Sequence, residues 1–288
     1  MVDPWANQPI LKCVMAITRP LVAADIPGAV ALNQEAGWNQ IAADWQFMLE
    51  QGEGTGIVDA DRLIATSMLL PQGDQFAWIA MILVTGARQR QGLASDLMRR
   101  CIARAEALDL IAGLDATEAG RQVYLPLGFQ DIYPLTRWQA DGPKVPKGEG
   151  VRPMWATDLD AVAARDTEIS GAPRSALLTH LYERCPERAF VLVGGGGFVL
   201  ARNGRMATQI GPLSAETEVG ALALLQAALS GHDGPVFLDA ADHHGELGRW
   251  LEDVGFTRQR GYMRMLLGRN TPIDDPGRVF LIAGPELG

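Results

Sequence analysis

The sequence predicts an α/β fold used twice in tandem, and three observations carry that expectation. The first is a strand-to-helix turn: the apolar run Trp78 to Val84 leads through Gln89-Arg90-Gln91-Gly92-Leu93-Ala94 into a helix-like segment over 95–108. The second is an internal repeat. Arg19-Pro20 with Asp25-Ile26 recurs as Arg152-Pro153 with Asp158-Leu159, and Glu35 recurs as Glu168, all at a shift of 133. The third is the matching end of each copy: Leu114-Asp115-Ala116 with Gly128-Phe129 answers Leu238-Asp239-Ala240 with Gly255-Phe256, at shifts of 124 and 127. Residues 141–150 are rich in glycine, proline and charge, show no apolar periodicity and read as a linker. The expected domains are therefore 1–140 and 151–288.

Each copy reads alike. In the first, a strand carries Arg19-Pro20, helical stretches follow over 24–35 and 43–50, and Asp59-Ala60-Asp61 turns a hairpin between 57–58 and 62–70. The central strand, the long helix, a strand through Leu114, a short helix and a strand from Phe129 complete it. In the second, the helices fall over 159–169 and 175–184, and strands over 190–193 and 198–202 precede Asn203-Gly204, a strong short-hairpin signal. Gly194 to Gly197 reads as a flexible turn and not as a phosphate loop. Phe198-Val199-Leu200 beyond it is strand-like, so no helix N-terminus completes an anion site.

The turn at 89–94 does supply one. A strand, a glycine-bearing loop and a helix start leave several N–H groups unpaired and pointing the same way, and Arg88 and Arg90 add guanidinium groups suited to a diphosphate. Gly92 and Ala94 let the backbone approach it. This Gln-x-x-Gly-x-Ala string, with Thr117, Gly120, Tyr124 and Leu127-Gly128-Phe129 downstream, resembles the two cofactor segments of the GCN5-related N-acetyltransferases.

The resemblance implies a mixed central β-sheet flanked by helices in each copy, and acetyl-CoA as co-substrate with no metal. The pyrophosphate would lie on Gln89, Arg90, Gln91, Gly92, Leu93 and Ala94, and the pantetheine arm along Ile82, Leu83 and Val84. A backbone amide near Met81 or Ile82 would polarise the acetyl carbonyl, Thr117 and Gly120 would line the thiol end, and Tyr124 would protonate the departing thiolate. The amine attacks directly in that family, so no Ser or Cys nucleophile is required. The central strand carries no ionisable group, which leaves Asp115, Asp44 and Glu35 as candidate bases, each also readable as a helix-end carboxylate, or else ordered water. Trp38, Asp44 and Trp45 are the candidate acceptor pocket, with core packing the competing reading for the tryptophans. Asp166, Glu168, Arg174 and Trp250 belong either to the same cavity or to the domain interface.

The second copy looks degenerate. At its central turn Glu216 and Glu218 replace arginines and would repel a diphosphate, and Leu251 stands where Tyr124 stands before the Gly-Phe pair. Composition fits an enzyme: 288 residues with 48% hydrophobic and 20% charged give ample core, and a net charge of −9 argues against a nucleic-acid partner. No run reaches a membrane span, and Met1 to Trp5 lacks a signal-peptide pattern, so the expected location is the cytoplasm. Cys13, Cys101 and Cys185 read as reduced structural thiols. His243-His244 reads as a pair of surface loop histidines, with no third and fourth ligand spaced for a metal. The expected assembly is a monomer or weak homodimer. Two functions remain open at this level: N-acetylation of a small amine, or non-catalytic sensing of acyl-CoA.

Overall fold

The computed structural model describes residues 16–288. Cys13 and Met1 to Trp5 lie outside the described residues. The first copy runs β1 (Ile17–Pro20), α1 (Ile26–Ala36), α2 (Ala42–Gln51), β2 (Glu53–Asp59), β3 (Arg62–Gln72), β4 (Phe76–Val84), α3 (Leu93–Ala107), β5 (Ile111–Ala116), α4 (Glu118–Tyr124) and β6 (Phe129–Asp141). The second runs β7 (Val151–Pro153), α5 (Leu159–Ser170), α6 (Ser175–Arg184), β8 (Phe190–Leu192), β9 (Gly197–Arg202), β10 (Thr208–Ala215), α7 (Glu218–Leu229), β11 (Pro235–Ala241), α8 (Gly245–Asp253), β12 (Thr257–Leu267) and β13 (Val279–Leu281).

Local chemistry explains these elements. β4 is covered on both faces, so its unbroken apolar run replaces the alternation of a half-exposed strand. α3 turns Leu97, Met98, Cys101 and Ala105 to the sheet and leaves Arg99 and Arg100 in water. The repeat at a shift of 133 is a staple. Arg19 donates twice to the Asp25 carboxylate at 2.7 Å, and Val22 N–H donates to the same group at 2.9 Å. Arg152, Asp158 and Trp155 N–H reproduce it at 2.7, 2.8 and 2.8 Å. Each staple fixes a strand end to the start of the next helix.

The thirteen strands among the described residues form one sheet in the order β1-β2-β3-β4-β5-β12-β6-β11-β13-β10-β9-β8-β7. The last long strands are exchanged: β12 lies beside β5 of the first copy, and β6 lies beside β11 of the second. The exchange is locked by two cross-strand ion pairs related by the repeat. Arg264 faces Asp115 with two bonds of 3.0 Å, and Arg137 faces Asp239 with two of 2.7 Å. All four side chains are buried, so each charge depends on its partner. The matching Leu-Asp-Ala segments of the sequence supply the two carboxylates.

Two expectations change in detail. Asn203-Gly204 does not make a two-residue turn; β9 and β10 are joined by residues 203–207. The loop is clasped from the first copy, where Asn39 Oδ1 accepts from Met206 and Ala207 N–H at 2.8 and 3.1 Å. His244 is buried, stacked on Phe280 at 3.8 Å and bonded through Nε2 to the Val279 carbonyl at 2.9 Å, because α8 carries it under the chain that ends in β13. The glycine run behaves as expected: Gly194, Gly195 and Gly196 take φ of 86° to 95° in the β8–β9 turn.

Candidate active site

β4 and β5 pair in parallel only from Phe76/Ile111 to Trp78/Gly113. A Cβ on Gly113 would fall 2.8 Å from the Trp78 ring, so this glycine lets the indole lie over β5 where the ladder stops. Beyond it the strands diverge around a cavity of about 150 Å³. One water needs only about 10–15 Å³, so the space is ligand-sized. Ile79 to Ile82, Leu114 to Thr117 and Tyr124 line it from the first copy.

β4 bulges beside this cavity. Its register with β3 shifts between Thr66 and Met68, which takes Met81 and Ile82 out of the ladder, and Met81 adopts φ of 53°. A β-carbon in that region costs on the order of 1 kcal/mol, and the Thr66 hydroxyl, donating to the Met81 carbonyl at 2.9 Å, helps hold it. Past the bulge, Gln89 Nε2 donates to the Val84 carbonyl at 3.3 Å, and the exposed loop turns into α3 with positive φ at Arg90 (59°) and Gly92 (83°). Gly92 is the N-cap residue, so the N–H groups of Leu93, Ala94 and Ser95 have no intrahelical partner. Arg90 is free of ion pairs among the described residues. Arg88, expected to join it, is paired with Asp59.

Thr117 caps α4, accepting from Gly120 N–H at 3.2 Å. Tyr124 packs 6.0 Å from Phe129, and its hydroxyl makes no hydrogen bond among the described residues. Burial, with a smaller contribution from Cys101, pushes that hydroxyl up to about 12. Burial in the same cluster pushes the Cys101 thiol up to about 11.

The carboxylates fall differently from the sequence reading. Trp38 lines the cavity, but Asp44 and Trp45 do not. Trp45 is wholly enclosed by core residues around α1, α2 and β4. Asp44 caps α2 at Ile41 N–H (2.7 Å) and accepts from Arg184 and Arg202 at 2.5 and 2.7 Å. Burial opposes its ionisation, yet the two guanidinium groups hold its carboxyl below the usual carboxylate range. Glu35 accepts from the Thr85 hydroxyl at 2.9 Å and from Gly86 N–H, tying α1 to the loop that leads from β4 into α3, away from the cavity. Asp115 does reach the cavity, with both oxygens engaged by Arg264. In the second copy Asp166 pairs with Arg174, which also donates to the Gly288 carbonyl at 2.6 Å, and Glu168 pairs with Arg278. Trp250 is partly buried and packs against the second core.

The rest of the cavity wall was not foreseen. Gln259, Arg260 and Tyr262 enter on the exchanged β12, Arg137 and Phe237 on β6 and β11, and Glu286 on the chain after β13. Trp78 Nε1 donates to the Pro285 carbonyl at 2.9 Å and Gln72 to that of Leu287 at 3.0 Å, which hold this last segment against the first copy. Only the repeat hinted at these residues.

The second copy has no such wedge. β10 and β11 also pair in parallel only briefly, from Thr208/Val236 to Ile210/Leu238, but β13 then inserts between them, Leu281 pairing with both Leu213 and Ala240. The equivalent bulge falls at Gly211-Pro212, and proline has no N–H to offer a carbonyl.

Two models of known families match the chain: the acetyltransferase (GNAT) family over 28–129 and the acetyltransferase (GNAT) domain over 162–281. The class is thereby defined as an acetyltransferase fold repeated. The chain belongs to the GCN5-related N-acetyltransferase superfamily, tandem type, and is an enzyme of the N-acetyltransferase class. It is 27% identical over 254 residues, 83% of this chain and 82% of the relative, to the holothin acyltransferase of a Pseudoalteromonas species. Among solved structures it is similar to an assigned acetyltransferase of Pyrococcus horikoshii, with TM-score 0.80, 20% identity and 98% of each chain covered. It is also similar to a tandem GNAT protein from the clavulanic acid biosynthesis pathway, with TM-score 0.61, 15% identity, and 88% of this chain and 98% of the other covered.

Proposed function

We propose that this enzyme transfers an acetyl group from acetyl-CoA directly to the amine of a small metabolite, at one site in the first copy. The observation that carries the reading is the open wedge between β4 and β5, with the Met81–Ile82 bulge on one wall, Tyr124 on the other and the α3 amides outside it. In this reading the diphosphate lies on Gly92 to Ala94 with Arg90, and the pantetheine arm pairs along Ile82 to Val84 as an added strand. An amide of the bulge faces the thioester oxygen.

The amine nitrogen attacks the carbonyl carbon; a C–N bond forms as the C–S bond breaks, the sulfur takes the Tyr124 proton, and the proton shed by the nitrogen returns through water to the phenolate. A phenol at about 12 is a weak acid for a free thiol of about 8.5. Burial that raises the Cys101 thiol would raise a thiolate formed in the same cluster too, which favours proton transfer from Tyr124. The second copy contributes walls and no second cofactor. No helix among the described residues is long and apolar enough to cross a membrane, and the described groups of His, Cys, Asp and Glu include none that would hold a metal. A monomer fits a chain that supplies both halves of its own cavity. Free thiol released from acetyl-CoA on addition of an amine panel tests the reading: amine-dependent release is expected, and no release with any amine would overturn it.

A further inference from the structure

The acceptor side of the cavity carries two charges of opposite sign that the proposed chemistry has not used. Arg260, on β12, is half-buried and has no ion-pair or hydrogen-bond partner among the described residues. The other cations at or behind the wall are committed. Arg264 is held by Asp115 and Asp274, and Arg202 by Asp44 and Glu286. Arg137 gives Nε and Nη2 to Asp239 while its plane lies against Phe237 and Tyr262 at 5.4 and 5.5 Å.

Glu286 is the counterpart. One of its oxygens accepts from Arg202, and the other, Oε2, is buried without a partner. An unpartnered carboxylate oxygen in a buried site costs roughly 1–3 kcal/mol, which a donor on a ligand would recover. Glu286 ends a chain of alternating charges, Arg184, Asp44, Arg202 and Glu286, so its position is fixed from behind by groups that never reach the cavity.

We propose that the acceptor is a zwitterion of the amino-acid type, its anionic group held by Arg260 and its amine placed at Glu286. This rests on the acetyl-transfer reading above and names its substrate class. Glu286 Oε2 takes one proton from the ammonium before attack, which frees the nitrogen lone pair, and passes it to water after the amide leaves; the second proton, shed as the C–S bond breaks, returns through water to the Tyr124 phenolate. Arg260 does no chemistry. It sets which amines enter, because a guanidinium without a partner favours an anionic group and offers a neutral amine nothing.

The test uses the full chain, acetyl-CoA and pairs of acceptors that differ only in the carboxylate: α-amino acids and their methyl esters. The acids are expected to exceed their esters by about tenfold or more in kcat/KM, although the esters carry the more readily deprotonated amines. Arg260→Gln is expected to remove that preference through KM for the acid, and Arg260→Lys to restore part of it. Glu286→Gln is expected to lower kcat/KM for acids and esters alike while acetyl-CoA affinity stays near wild type, which separates a lost proton acceptor from a lost fold, although the thermal midpoint falls because Arg202 keeps only Asp44 as a charge partner. If no acid exceeds its ester, or if the preference survives Arg260→Gln, the inference is overturned. Acetyl-CoA that fails to bind would sink the acetyl-transfer reading itself, whereas bound acetyl-CoA with esters acetylated as fast as acids would sink the zwitterion alone.

Discussion

Tyr124 has one free hydroxyl, a neighbourhood that keeps it protonated, and a place on the wedge wall opposite the bulge. Tyr124→Phe is expected to lower kcat roughly ten- to a thousandfold with little change in acetyl-CoA affinity, because a proton donor acts on the leaving group and not on the bound ground state. Steady-state rates beside a binding titration check this; unchanged turnover would make the tyrosine a packing residue. The pH dependence has its origin in the same burial. The phenol loses its proton only near 12, so below pH 10 Tyr124 contributes no fall in kcat as pH rises, and the alkaline limb that an ordinary tyrosine of about 10 would give is absent. The place of Tyr124 on the cavity wall was readable in the sequence because it is set locally: four residues before a Gly-Phe pair, on a helix capped by Thr117. Glu286 and Arg260 were not. No spacing in the chain announces a carboxylate that reaches the cavity 205 residues after Met81, and Asp44, which does sit near the expected acceptor helices, is buried behind Arg202.

At the level of elements, the repeat found by eye in the sequence is a hydrogen-bonded device. Both staples join an Arg-Pro strand end to an aspartate at a helix start. The Arg152 hydrogen bonds, with Trp155 N–H second, hold Asp158 at about 2 against about 3.9 in an unfolded chain. A carboxyl depressed in this way contributes stability that is present above pH 4 and is lost as pH falls through about 2. Asp158→Asn is therefore expected to lower the thermal midpoint at pH 7, with the difference from wild type shrinking between pH 4 and pH 2. A difference that stays constant with pH would contradict the assignment. The α3 start behaves as its sequence implied, since a glycine at φ of 83° is what brings the chain onto the helix amides. Gly92→Glu is expected to abolish acetyl-CoA binding: no neighbour crowds a Cβ there, so the loss would come from strained backbone and a carboxylate facing the diphosphate. The Asn203-Gly204 turn was misjudged because a tertiary clasp, Asn39, replaced local turn chemistry.

On the scale of the whole molecule, the division at residues 141–150 separates the chain but not the sheet. β6 and β12 cross that division in opposite directions, and their arginines meet the other copy's aspartates. Breaking one buried pair, as in Asp239→Ala, is expected to cost about 3–5 kcal/mol, because Arg137 is left charged and dry between Phe237 and Tyr262. Strand exchange is invisible to apolar patterning, since a buried strand reads the same whichever neighbour it pairs with. Glu216 and Glu218 set the second copy's turn apart in the sequence, and in the fold β13 fills the space between β10 and β11 that stays open between β4 and β5. The central claim is one working wedge per chain. Calorimetric titration of the full chain with acetyl-CoA tests it most directly: one site per chain, lost in Gly92→Glu, is the predicted result, and two equivalent sites, or one site that survives Gly92→Glu at wild-type affinity, would contradict it.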